Sequence, residues 1–147
     1  MDASALEIIT FSIAVLGAAL GVINTLHNLD KSRVKLKVTP VHAIPVGGMD
    51  ESLRFGIQIT NLSSFPLTIS DAGVFFTGTK SRGSIIDPVF SDGGGWPKKL
   101  EPRTSVSVYS QTPEAPSGHK IKCAYAFTEC GEVCTGNSKA LKQISNE

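Results

Sequence analysis

The chain has 147 residues and nearly balanced charge, with 14 Lys and Arg against 13 Asp and Glu, a formal net charge of +1. That balance excludes a strongly basic nucleic-acid binder and an acidic disordered tail. The length suits one folded domain with an accessory segment, at about 100–200 residues per domain, and the 3 cysteines are too few for a disulfide-built miniprotein.

The first element is a helix. From Ile8 to Leu29 the sequence runs 22 residues without Asp, Glu, Lys or Arg. As a helix this run spans about 33 Å, enough to cross a hydrocarbon core of about 30 Å. Asp2 and Glu7 precede it, and Lys31, Arg33, Lys35 and Lys37 follow it. A secretory leader starts with positive charge and ends in a small-residue cleavage site. This segment starts acidic and ends in Asn-Thr-Leu-His-Asn-Leu-Asp-Lys, so the expectation is a retained single-pass anchor. Asn24, Thr25, His27 and Asn28 suit an interface better than the bilayer centre. A buried helix of a soluble assembly is the alternative.

Glu7, Thr10, Ala14, Gly17, Gly21, Asn24 and Asn28 step by three and four, so they share one helix face. All are small or polar. Gly17 and Gly21 have the GxxxG spacing that lets two helix backbones approach closely. The stripe therefore predicts self-association or pairing with another membrane helix, through Thr10, Ala14, Gly17, Gly21, Asn24 and Asn28.

After Asp30 the period changes to two. Val34, Leu36 and Val38 alternate with Arg33, Lys35, Lys37 and Thr39, the pattern of a strand with one wet face. Pro40 and Pro45 are expected to interrupt it, and Gly47-Gly48 to turn the chain. Leu53, Phe55, Ile57 and Ile59 mark a second strand, and Asn61 to Pro66 a turn. Leu67-Thr68-Ile69 begins a third, which Gly73 to Thr77 extends or follows as a fourth. Ile85 to Phe90 is expected as a short edge strand, because Pro88 argues against a central place. Thr104 to Ser110 points Val106 and Val108 inward. Ile121, Cys123, Tyr125 and Phe127 are expected to form the next inner face. Glu129 to Glu132 turns into Val133–Thr135, and Ser138 to Ile144 forms a terminal helical turn.

Short strands at regular spacing without long helices between them indicate a β-sandwich. Residues 32–136 resemble bacterial immunoglobulin-like, fibronectin-type domains in two motifs. One is Ile57-Gln58-Ile59-Thr60-Asn61 leading through a turn to Pro66-Leu67-Thr68-Ile69. The other is Leu100-Glu101-Pro102-Arg103-Thr104-Ser105-Val106-Ser107-Val108, a Leu-x-Pro turn feeding an alternating strand. The chain departs from antibody-type domains in having no Cys-Trp-Cys framework. The resemblance implies an all-β, immunoglobulin-like antiparallel sandwich with a binding or spacing role and no enzyme activity.

His119, Cys123, Cys130 and Cys134 superficially offer a zinc set. His119 and Cys123 on one strand would stand about 13 Å apart, too far to share a metal. No metal is expected, and a Cys130–Cys134 bond across the Gly131-Glu132-Val133 turn remains open on geometry. Ser91 to Lys99 holds three glycines and two lysines outside any strand–loop–helix phosphate motif, and reads as an inter-strand loop. Trp96 in that loop either caps the sandwich or anchors a protein partner. Asn61-Leu62-Ser63 is a formal glycosylation sequon. His27, His42 and His119 lie in unrelated contexts, and neither a nucleophile elbow nor a paired-carboxylate pattern occurs.

The sequence thus predicts a membrane helix over residues 1–31 and a sandwich over residues 32–147. The function expected is that of a non-catalytic interaction or accessory subunit, with no cofactor and no nucleic-acid partner. Lys31, Arg33, Lys35 and Lys37 would meet membrane lipid and hold the sandwich in the cytoplasm, where Cys123, Cys130 and Cys134 stay as free thiols. The alternative is a structural protein of a phage virion or other large assembly, whose helix packs against neighbouring subunits.

Overall fold

A computed structural model describes residues 3–44 and 50–145, so Asp2 and the turn expected at Pro45 and Gly47-Gly48 lie outside the described residues. Chain contacts divide the protein into one unit ending at Arg33 and a second beginning at Val34. The first is a single helix, α1, Ala3–Ser32, with Lys31 in its last turn, where a cation favours the C-terminal end of the helix dipole.

The second unit contains β1 (Leu36–His42), β2 (Phe55–Asn61), β3 (Leu67–Phe76), β4 (Arg82–Ser84), β5 (Val89–Phe90), β6 (Lys98–Leu100), β7 (Ser105–Ser110), β8 (Ile121–Thr128), β9 (Val133–Gly136) and a short helix α2 (Lys139–Ile144). One sheet has the order β1-β2-β7-β5. The other has the order β4-β3-β8-β9, with β6 also paired to β3. The strand pairs are antiparallel. The two sheets share one apolar core, the layered arrangement of a β-sandwich. The first contributes Val38, Ile57, Ile59, Val106 and Val108, and the second Ile69, Ala72, Val74, Ala124 and Ala126. Ser138 caps α2 by accepting from the Leu141 N–H, and Leu141 and Ile144 close the core.

Several expectations are corrected. Pro40 does not interrupt β1; it pairs with Ile57, and its buried ring continues the inner face of Leu36 and Val38. An edge strand tolerates the missing donor. The expected strand over Ile85–Phe90 shrinks to Val89–Phe90, at a sheet edge. Of the two readings open for Gly73 to Thr77, the structure takes the first, with β3 running on through Phe76.

The largest correction concerns β8. Ile121 points into the core, but Cys123, Tyr125 and Phe127 lie on the opposite face, and Ala124 and Ala126 take the inner positions. The β3–β8 register shifts between Phe75 and Phe76 and again between Ile69 and Asp71. One extra residue in a strand exchanges its two faces.

Glycine is required where backbones approach. A Cβ on Gly73 would collide with the Gly83 carbonyl of β4, and one on Gly136 with the Val38 carbonyl of β1. These contacts hold β4 against β3 and bring β9 beside β1.

Candidate functional site

The first candidate surface is α1. Its large apolar side chains, including Ile8, Phe11, Leu16, Leu20, Ile23 and Leu26, are all exposed. The hydroxyls of Thr10, Ser12 and Thr25 donate to the carbonyls of Leu6, Ile8 and Gly21 at 2.8–2.9 Å, four residues back. A Cβ built on Gly17 or Gly21 meets nothing within 4 Å. Ala14, Asn24 and Asn28 are exposed along the same face; Lys31, Arg33, Lys35 and Lys37, further along the chain, are each exposed as well.

The second surface is the outer face of the β4-β3-β8-β9 sheet, which sequence reasoning missed because the alternation in β8 puts Tyr125 and Phe127 inward and gives Phe75 no face. Tyr125 is 0% exposed although it lies outside the core. The rings of Phe75 and Phe127 cover it at centroid distances of 4.6 and 5.2 Å. The Arg82 guanidinium lies 4.8 Å from the Phe127 centroid and 5.8 Å from that of Tyr125. The Tyr125 and Ser84 hydroxyls are 2.8 Å apart, and each lies within reach of Asp71 Oδ2, at 3.0 and 3.1 Å.

Burial, assisted by the nearby Asp71 carboxylate, pushes the Tyr125 phenol from 10.0 up to about 12, although the Ser84 hydrogen bond opposes this. The unfolded chain releases this proton near pH 10, whereas the folded chain holds it to about 12. Alkali in that window therefore favours unfolding, and stability should fall as pH rises. Tyr125→Phe should flatten the fall, as read by urea midpoints measured across the window.

Trp96 packs against the core, edge-on to Phe90 at 4.9 Å, and its Nε1–H donates to the Ile85 carbonyl at 2.9 Å. Its ring and its one donor are both used as a cap. Cys130 is exposed, 3.1 Å from the Thr128 hydroxyl, whereas Cys134 packs against the core; all three cysteines are free. Burial pushes the Cys123 and Cys134 thiols up. His119 Nδ1 donates to the Thr77 carbonyl at 2.6 Å. Among the described residues, no group of three His, Cys, Asp or Glu is placed to hold a metal.

The sequon residue Asn61 is 0% exposed. Its Nδ2 donates to the carbonyls of Phe65, Leu100 and Glu101, and its Oδ1 accepts from the Ser63 N–H. The amide is a structural tie in the folded chain, closed to glycan attachment.

Together these features define a two-sheet antiparallel β-domain that follows one apolar N-terminal helix long enough to span a membrane. Comparison with protein-family models finds no matching family, and comparison with curated proteins finds no match.

Proposed function

We propose that the chain is a single-pass, membrane-anchored, non-catalytic sandwich that serves as an interaction or accessory subunit. The observation that carries this reading is α1, which is apolar on nearly all sides and whose inner hydroxyls bond back to its own carbonyls. An all-round apolar helix belongs in lipid or inside a large assembly. Lipid offers no water to satisfy a hydroxyl, so back-bonding is the accommodation it demands. The basic residues from Lys31 to Lys37 favour a cytoplasmic sandwich.

The strand order supports an immunoglobulin-like reading of the sandwich. Taking β1, β2, β7 and β5 as strands A, B, E and D, and β9, β8, β3 and β4 as G, F, C and C′, gives sheet orders compatible with that topology, with β6 as an addition. Phe75, Phe127 and Arg82 supply residue types enriched at protein interfaces and give the sandwich a candidate contact face.

Association through α1 is tested by Gly17→Ile with Gly21→Ile. Branched side chains at both positions should shift the full-length protein to a smaller species in detergent, and an unchanged size would discard the stripe as a contact. Orientation is read with a membrane-impermeant maleimide on intact cells. Exposed Cys130 should label only after lysis, while half-buried Cys123 and Cys134 react slowly until the fold is denatured. Labelling before lysis would reverse the orientation. A soluble multimer whose helix packs on neighbouring subunits would favour the assembly-protein alternative.

A further inference from the structure

We propose that the outer face of the β4-β3-β8-β9 sheet docks an acidic protein segment, which sets an Asp or Glu carboxylate on the Arg82 guanidinium and apolar side chains on Phe75 and Phe127. The inference rests on the reading of this face as the contact face of an interaction subunit, and it names the chemistry of the partner.

Register puts the backbone of Arg82 at the sheet edge, whereas its charge lies over the middle of the face. Arg82 on β4 stands opposite Phe75, and Phe75 opposite Cys123. Asp71 stands opposite Phe127, and Phe127 opposite Val133. The guanidinium nevertheless lies nearer Phe127, 4.8 Å from its centroid, and 5.8 Å from that of Tyr125. The side chain therefore crosses from the row of Phe75 to the row of Phe127. Its path over β3 passes Gly73, which has no side chain to block it. The rings hold the cation there by electrostatic attraction.

The N–H donors of this guanidinium are unused. Among the described residues Arg82 makes no ion pair and no hydrogen bond, only the two ring contacts. Asp71, on the same face, is engaged elsewhere: its Oδ2 accepts from the Tyr125 and Ser84 hydroxyls at 3.0 and 3.1 Å. Glu129 stands beyond Phe127, in the turn where its N–H meets the Thr68 carbonyl, and Lys99 opposite Thr68 is paired with Glu101. Lys122, exposed beside Cys123, adds a second cation at the other end of the face.

These features decide what can cover the face. Phe75 and Phe127 are half-buried, and Val133 beside Phe127 is 41% exposed, so apolar contact is on offer. A purely apolar partner would take the guanidinium out of water with its donors unmet, a penalty larger than ring contact returns. A basic partner would add repulsion. A carboxylate meets two parallel donors at once, in the fork geometry that a planar guanidinium presents. The surrounding rings keep water from competing for those bonds.

The test uses the isotope-labelled full chain in detergent micelles, with nuclear magnetic resonance read at the Arg82 Nε–H and at the backbone amides of Val133 and Thr135. The probes are acetyl-Asp-Leu-Glu-Leu-amide and its neutral isostere, acetyl-Asn-Leu-Gln-Leu-amide. The acidic peptide should shift these signals and bind at least about ten-fold more tightly than the neutral one, the worth of a hydrogen bond to a charged group. Arg82→Gln should erase that difference at an exposed position where the fold is kept, and Arg82→Lys should keep part of it, since the charge remains without the fork. A preference that survives Arg82→Gln would overturn the inference. Inorganic phosphate that shifts Arg82 as strongly as the acidic peptide would make it a general anion site and overturn the peptide as occupant. Equal shifts from both peptides would leave a contact face without charge selectivity and overturn this inference alone. No shift on this face with either peptide would overturn the contact face and this inference with it.

Discussion

Asn61→Ala is expected to lower the stability of the sandwich by roughly 3–5 kcal/mol. The side chain makes four hydrogen bonds from a fully buried position, tying its own turn to the Leu100–Glu101 segment. Alanine keeps none of them. It takes the donor from the Phe65 and Leu100 carbonyls and the acceptor from the Ser63 N–H, while the Glu101 carbonyl keeps Thr104, at about 1–3 kcal/mol for each group that water cannot reach. Asn61→Asp should fare no better, because a carboxylate accepts only and would face three carbonyl oxygens. Urea unfolding reads the effect as a lower midpoint with an unchanged slope. Gln58→Ala, exposed on the same strand, should stay within about 0.5 kcal/mol. A loss below about 1 kcal/mol at Asn61 would contradict the tie.

The second large effect concerns α1. Leu20→Arg puts a charge near the centre of the uncharged run. Insertion scales put arginine there at about 3 kcal/mol unfavourable and leucine at about 0.5 kcal/mol favourable. The difference corresponds to more than about a hundred-fold in partitioning. Flotation with membranes should collapse for Leu20→Arg and persist for Leu20→Ala. The sandwich should keep its unfolding transition in both variants, because its core lies wholly after Val34. Undiminished flotation of Leu20→Arg would move α1 out of the lipid.

The parts of the fold that were legible in the sequence are those where polar and apolar residues alternate cleanly. Ile57 and Ile59 alternate with Gln58 and Thr60, and Val106 and Val108 with Ser105 and Ser107, and these strands lie where the alternation placed them. In β8 the segment Cys123-Ala124-Tyr125-Ala126-Phe127 is apolar at every position, so alternation could not say which face is inner. A register shift, visible only in pairing with β3, decided it. Arg82–Ser84 and Lys98–Leu100 carry no periodicity, and they are strands only through their pairing with β3. Pro40 reads as a breaker until β1 is seen to be an edge.

The candidate surfaces divide the same way. The helix stripe is a local repeat and was visible at once. The aromatic face joins Phe75, Arg82, Tyr125 and Phe127 from three strands, and nothing local announces it. Asn61 reads as a turn residue and a sequon. Its role as a tie depends on Leu100 and Glu101, which are distant along the chain.

Alkaline carbonate extraction of membranes from cells making the full-length chain tests the central claim most directly. A helix that spans the bilayer through Ile8 to Leu29 keeps the protein in the pellet, as a transmembrane control stays and a peripheral control is released. Release of the full-length chain into the supernatant, as a soluble monomer or multimer, would contradict a membrane-anchored sandwich.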